Sequence, residues 1–265
     1  MPFIRITTLA ATATLAIASG AAAQSWEGGY VGGSIGGIFL GNESDEISFD
    51  TDLDGDFGDT IGVPGNAFSP GFCDGIARGN EPEDGCDDDE TSSLSFSLRA
   101  GFDRQFGNLV VGGIGEITGA EIEDVTTAFS TTPAFYSITR EMDYMAAARG
   151  RIGFASGMTL GYVTGGIAFA DIDYGFRTSN NPNTFTIDED ISDVGFQLGG
   201  GVEKMITERF SVGVEYLYTR FEDDSTVRAS DGGNVFVAEN PDGTDFTLGD
   251  DFETHTLSVT ASIRF

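Results

Sequence analysis

Only one stretch of this sequence is apolar for long enough to engage a membrane as a helix, and it is too short to cross one. It lies at the start: a lone positive charge at Arg5, apolar residues from Ile6 to Ile17, then Ala21-Ala22-Ala23 ahead of Gln24. A spanning helix needs about 20 apolar residues. A charged start, a short apolar run and a small-residue end are instead the pattern of a secretory signal peptide, so export is expected, with residues 1–23 removed. Positive charge is scarce as well. Lys and Arg number 13 against 43 Asp and Glu, a formal net charge of −30 and a pI near 4.1. Such a chain repels phosphate backbones, which argues against nucleic acid as a partner, and it offers no basic patch for anionic lipid. Cysteine is limited to Cys73 and Cys86. In an oxidising compartment a disulfide between them is expected. Closing a loop of about a dozen residues would contribute ~3 kcal/mol in the chain-entropy picture. With two cysteines and no histidine nearby, a metal site there is not expected.

Glycine and aromatics are plentiful: 38 Gly, 22 Phe and 7 Tyr, beside only 7 Pro. Strands with close backbone approach account for that mixture better than a helical core. The clearest strand runs from Ser93 to Phe106, where Leu94, Phe96, Leu98, Ala100 and Phe102 alternate with Ser95, Ser97, Arg99, Gly101 and Asp103. A period of two over ten residues is a strand signature. The last segment repeats it, with Leu257, Val259, Ala261, Ile263 and Phe265 on one face. Weaker copies run over Tyr30–Leu40, Leu109–Ala120, Asp143–Phe154, Thr159–Asp171, Asp193–Lys204 and Phe210–Phe221. That makes eight strands.

The connections alternate in length. Gly107-Asn108, Ala155 to Met158 and Met205 to Arg209 are short; Asn42 to Ser92, Glu121 to Met142, Ile172 to Ser192 and Glu222 to Glu253 are long. Short turns on one side and long loops on the other mark outer-membrane barrels. Acid collects in the loops: residues 42–92 hold sixteen Asp/Glu against Arg78, and residues 222–253 hold ten against Arg228. The polar faces of the strands carry Arg99, Arg149, Arg151 and Arg264 against Asp103, Glu116, Glu203 and Glu215, a balanced set that would pair inside a closed barrel.

Alternation alone does not say which face meets lipid, because a soluble barrel would point its apolar face inward. Three features favour lipid. Aromatics such as Phe106, Phe154, Phe210, Tyr218 and Phe265 sit near strand ends, as interfacial girdles do. The strands suit a tilted crossing of ~9–11 residues. The final strand ends on Phe265 itself. The expected fold is all-β: an eight-stranded antiparallel transmembrane β-barrel over residues 24–265, with long extracellular loops and short periplasmic turns. An eight-stranded interior is only wide enough to be filled by side chains, which disfavours bulk diffusion through it.

Four segments carry a resemblance: "WEGGYVGGSIGG" (Trp26 to Gly37), "RGRIGFASGMTLGYVTGGIAF" (Arg149 to Phe169), "GFQLGGGVEKMITERFSVGVEYLYTRF" (Gly195 to Phe221) and "HTLSVTASIRF" (His255 to Phe265). Together they resemble the outer-membrane β-barrel domain family with OmpA-type barrels, also called porin-family or outer-membrane immunogenic proteins. The resemblance implies an eight-stranded barrel in the outer membrane of a Gram-negative cell, with Phe265 as the terminal signal read by the assembly machinery. It implies no shared enzymatic chemistry. The long acidic first loop with its two cysteines departs from the shorter members.

Asp50, Asp52, Asp54 and Asp56 with Gly55 resemble the first half of a calcium loop, D-x-D-x-D-G, in which alternate acids supply oxygen ligands. The twelfth position, ordinarily Glu, is Ile61, and a solvated acidic loop is the plainer reading. The run Asp87-Asp88-Asp89-Glu90 reads as a solvated patch, with binding of divalent cations that bridge lipopolysaccharide phosphates as its functional alternative. His255, the lone histidine, would need a nucleophile and an orienting acid for acyl transfer. No serine is singled out, and its parity places it at the lipid interface. Gly32-Gly33 and Gly199-Gly200-Gly201 lack the following helix that a phosphate loop requires. The expectation is a non-enzymatic, monomeric barrel in contact with outer-membrane lipid and lipopolysaccharide, displaying acidic loops. A narrow channel and a lipid-modifying enzyme are the alternatives. No cofactor is expected beyond possible calcium.

Overall fold

The computed structural model describes residues 25–41, 47–59, 61, 87–90, 92–130, 134–232, 235–249 and 251–265. The expected signal peptide and both cysteines, Cys73 and Cys86, lie outside the described residues. In chain order the strands are β1 (Gly28–Leu40), β2 (Ser48–Asp50), β3 (Asp87–Glu90), β4 (Ser93–Phe106), β5 (Leu109–Ser130), β6 (Ala134–Ser156), β7 (Thr159–Thr178), β8 (Thr184–Asp188), β9 (Val194–Met205), β10 (Phe210–Phe221), β11 (Thr226–Ser230), β12 (Thr244–Thr247) and β13 (Phe252–Arg264). A short 3-10 turn covers Val235–Val237.

Eight of these close into an antiparallel ring, β1-β4-β5-β6-β7-β9-β10-β13, in which β13 returns to β1 with Arg264 opposite Tyr30. All eight expected strands are present, and the alternation has the expected sense. Leu98 is 76% exposed and Val163 61%, while their neighbours Arg99 and Thr164 are buried. So much apolar surface facing outward is incompatible with water and matches a lipid-facing belt. Closure satisfies every strand edge through the belt, as a hydrocarbon environment demands. The short turns place Gly107 and Gly157 at positive φ, a conformation that costs glycine nothing.

The far end departs from expectation. Residues Glu121 to Met142 and much of Ile172 to Ser192, read from sequence as loops, continue as strand: β5, β6 and β7 reach 22, 23 and 20 residues. On β6 a register shift between Met142 and Met145 contributes to the misreading. Below it the odd residues of β6 are buried (Met145, Ala147, Arg149, Arg151), and above it the even ones (Met142, Arg140, Ile138, Tyr136). A bulge of this kind adds one residue and flips the faces. Above it the outward positions carry Glu123, Glu141 and Asp173 in place of apolar residues, opposite one another on three neighbouring strands. An alternation scan therefore loses its contrast on all three strands and, on β6, its phase as well.

These extensions form one wall of a cap. The other wall is a four-stranded sheet in the order β2-β12-β11-β8. Between them lies a core that includes Phe49, Tyr136, Ile138, Val227, Phe236 and Phe246. The run Asp87–Glu90, expected as a solvated patch, is the paired strand β3, running antiparallel along β5 from Thr127 to Asp124.

Candidate functional site: the filled lumen and the cap

Inward positions of the barrel strands converge in two ionic layers. In the first, Arg99 donates to Glu215 Oε1 at 2.8 Å and also pairs with Glu116. Arg149 reaches Glu116 Oε1 at 3.1 Å and Glu215 Oε1 at 3.5 Å, and the Tyr162 hydroxyl donates to Glu215 Oε2 at 2.6 Å. In the second, Arg151 donates from Nε to Asp103 Oδ1 at 2.8 Å and from Nη1 to Glu203 Oε1 at 2.7 Å. Arg264 lies 2.9 Å from Asp103 Oδ2 and donates to the Trp26 carbonyl at 2.7 Å. Every balanced charge singled out on the strand faces thus lies in one of these layers. Charges taken out of water need such partners, since an unpaired one is severely penalised.

Glycine makes the room. A Cβ on Gly101 would stand 2.3 Å from the Tyr30 ring, and one on Gly112 would stand 2.0 Å from Asp103 Oδ1. Tyr30 in turn lies under both guanidinium groups, 4.9 Å from Arg151 and 4.8 Å from Arg264, a cation–π arrangement that strengthens where water is excluded.

Apolar layers lie on both sides of the charges. Trp26, Val110, Leu160 and Met205 form a floor near the short turns. Toward the cap, Ile38, Ile122, Met142, Met145, Phe221 and Phe252 belong to a second apolar layer. Above it Arg140 binds Asp124 through Nε at 2.9 Å and Asp223 through Nη1 at 3.2 Å, with Phe252 5.6 Å away beneath its guanidinium. The sequence reading missed Arg140, Asp124 and Asp223, because they lie where the strand signal had faded.

The acidic loop after β2 is built around Asp50. Its buried carboxylate accepts the amides of Leu53 at 2.6 Å and Asp54 at 3.2 Å on Oδ1, and that of Gly55 at 2.8 Å on Oδ2. Leu53 and Gly55 sit at positive φ. Asp54 and Asp56, expected as calcium ligands, each accept a nearby amide on one oxygen, from Asp56 at 2.9 Å and from Gly58 at 3.1 Å. The structure brings Asp59 to Asp50 and Asp52, with one carboxylate oxygen of each within 4.8 Å of the others. Asp59 accepts both the amide and the hydroxyl of Thr51, at 2.8 and 2.7 Å, and these bonds hold its carboxyl below the usual range. Asp52 is raised, by desolvation first and then by its acidic neighbours. Asp50, Asp52 and Asp59 are the described carboxylates grouped closely enough to hold a cation. They offer one oxygen each against the six to eight that calcium takes, so carbonyls and water would have to supply the rest.

Replacing Asp50 by Ala is expected to cost about 1–3 kcal/mol locally, because three amides lose their shared charged acceptor. Hydrogen exchange at Leu53, Asp54 and Gly55 measures it; unchanged protection there would refute the role of this carboxylate.

His255 faces outward on β13, with Nδ1 2.6 Å from the Tyr216 hydroxyl and the Tyr218 ring 5.3 Å away. Its described hydrogen-bond neighbour is thus a tyrosine, in an aromatic zone of the outer wall that includes Phe196 against Tyr218.

The family model of the outer membrane protein beta-barrel domain matches residues 7–265. The chain belongs to this family. Curated proteins that resemble it include the 31 kDa outer-membrane immunogenic protein of Brucella melitensis biotype 1, 26% identical over 62% of this chain and 69% of that protein. The 22 kDa outer membrane protein of Rhizobium leguminosarum bv. viciae is 26% identical over 51% of this chain and 56% of that one. Among solved structures, the outer membrane protein OprG from Pseudomonas aeruginosa superposes with a TM-score of 0.50 at 10% identity, covering 92% of this chain and all of that one. At that identity the likeness concerns the fold alone. This outer membrane protein beta-barrel domain is an outer-membrane protein, and it presents its apolar belt outward.

Proposed function

We propose that this barrel is a non-conducting anchor that displays a folded, acidic cap at the cell surface, where the cap meets other molecules. One observation carries the reading: an apolar floor, two ionic layers, an apolar layer and the Arg140 node succeed one another along the lumen. Ions passing that route would lose their hydration at each apolar layer, which is costly. The chain has also placed a hydrophobic core in its long loops, and surface loops that serve only to clear the membrane need none. Contact of the belt with lipopolysaccharide and lipid, a monomeric state, and recognition of Phe265 by the assembly machinery belong to the same proposal. Phe265 stands exposed at the end of β13, its amide bonded to the Gly29 carbonyl at 3.0 Å.

Planar-bilayer recording on refolded protein tests the reading. The expected trace is a flat baseline at all applied voltages; reproducible single-channel steps would replace this function with a transport one.

A further inference from the structure

We infer that the cap takes an extended cationic peptide as an added strand along the outer edge of β8. The inference deepens the surface-display reading by naming the partner class, and it rests on that reading for the placement of the cap outside the cell. β8 ends its sheet, and among the described residues only β11 pairs with it, Thr226 opposite Asp188 through Ser230 opposite Thr184. The strand before it in the chain, β7, changes partners along its length. β7 pairs with β9 from Thr159 to Phe169, while its upper part continues to Thr178 paired with β6. Residues 179–183 join these two strands, and Asn183 is tied to the Asp231 carbonyl at 2.9 Å. β7 and β8 are thus consecutive strands that belong to different sheets.

Apolar side chains on these two strands are incompletely covered. Phe176 and Phe185 lie 5.2 Å apart, both partly buried against the cap core, and Ile187 is 41% exposed. Soluble edges are usually blunted by lysine, proline or a bulge. β8 carries no lysine or proline, and no register shift marks its pairing. Instead the strand runs into exposed Asp188, Glu189 and Asp190, and Asp173 is exposed on the neighbouring strand. A strand-forming peptide that alternates apolar and basic residues would satisfy the free amides and carbonyls, cover Ile187 and Phe185, and set its charges against these acids.

Charge decides between occupants. A second copy of this chain brings its own net charge of −30 to an acidic edge. The chain's own residues 62–86 contain Pro64, Pro70 and Pro82, which make a poor added strand. That segment also departs beside β2, where Asp59 bridges Phe49, and re-enters at β3 on β5. The first attachment is at β2, the opposite end of its sheet from β8, and the second is at β3, which belongs to the barrel sheet and not to that of β8.

The test uses the full chain refolded in detergent and a labelled peptide of alternating lysine and valine, about six residues long. Saturable binding by fluorescence anisotropy is expected. Two further peptides carry N-methyl groups on one or the other alternate set of residues. One should bind and the other should not, because only one set turns its N–H groups toward β8. The double variant Asp188→Asn/Glu189→Gln should bind about fivefold more weakly. Equal binding of both methylated peptides would reduce the contact to unspecific charge attraction and overturn the inference. So would no binding at all, or equal binding of a glutamate–valine peptide. Concentration-dependent self-association by sedimentation, blocked by the peptide, would assign the edge to a second copy instead. A bilayer recording reports on the lumen alone, so failure of the display reading is read separately.

Discussion

Replacing Arg151 by methionine should lower the stability of the folded barrel by about 3–5 kcal/mol, the penalty for stranding a buried charge. Arg151 is fully buried and neutralises Asp103 and Glu203 together. Without it, those two carboxylates would share the single guanidinium of Arg264, which stands 2.9 Å from Asp103 and 3.7 Å from Glu203. Methionine keeps much of the volume, so the loss is electrostatic rather than a cavity effect. The urea midpoint in detergent, or the temperature at which the compact gel band converts to the unfolded one, measures it. Adding Glu203→Gln to Arg151→Met restores one charge of each sign in the layer and should recover a large part of the loss. If the second substitution instead adds its own full cost, charge balance is not what holds this layer together.

Phe246→Ala should have an effect of similar size, about 3–5 kcal/mol for a large aromatic removed from a packed core, but confined to the cap. Phe246 is the hub of that core, with ring centroids 5.6 Å from Phe176, 6.0 Å from Phe49, 6.2 Å from Phe185, 6.4 Å from Phe236 and 6.5 Å from Tyr136. The lumen's apolar layer is a separate cluster; Ile191 is the residue that packs against both. The variant should lose amide protection over β8, β11 and β12 and be nicked by protease there. The heat-dependent gel shift of the barrel should stay where it was. A gel shift that falls in step with cap protection would mean that cap and barrel unfold as one unit.

The lumen charges and the cap core differ in how far the linear chain shows them. Arg99, Arg149, Arg151 and Arg264 and their four acids stood out because each interrupts an apolar alternation on the opposite parity. In a closed barrel all such positions share one interior. Which carboxylate each guanidinium meets was not legible, because barrel tilt brings Arg99 on β4 to Glu215 on β10, 116 residues later. Arg140 was hidden for a different reason. It lies beyond the shift at Met142/Met145, where parity reverses and the outward face has left the lipid for water. Asp59 was missed because the calcium pattern counts along the chain, whereas Asp59 arrives through a bridge back to Phe49.

Period-two alternation and loop asymmetry are properties of neighbouring residues, and they specify the strand count, the outward apolar side and the inward charges without tertiary information. Hydrocarbon enforces that legibility: each outward residue must be apolar and each strand must pair. The cap escaped it. Its core gathers residues from Phe49 to Phe246, and no local period links them. Only the folded barrel, by holding the long connections over one mouth, brings those side chains close enough to exclude water from one another.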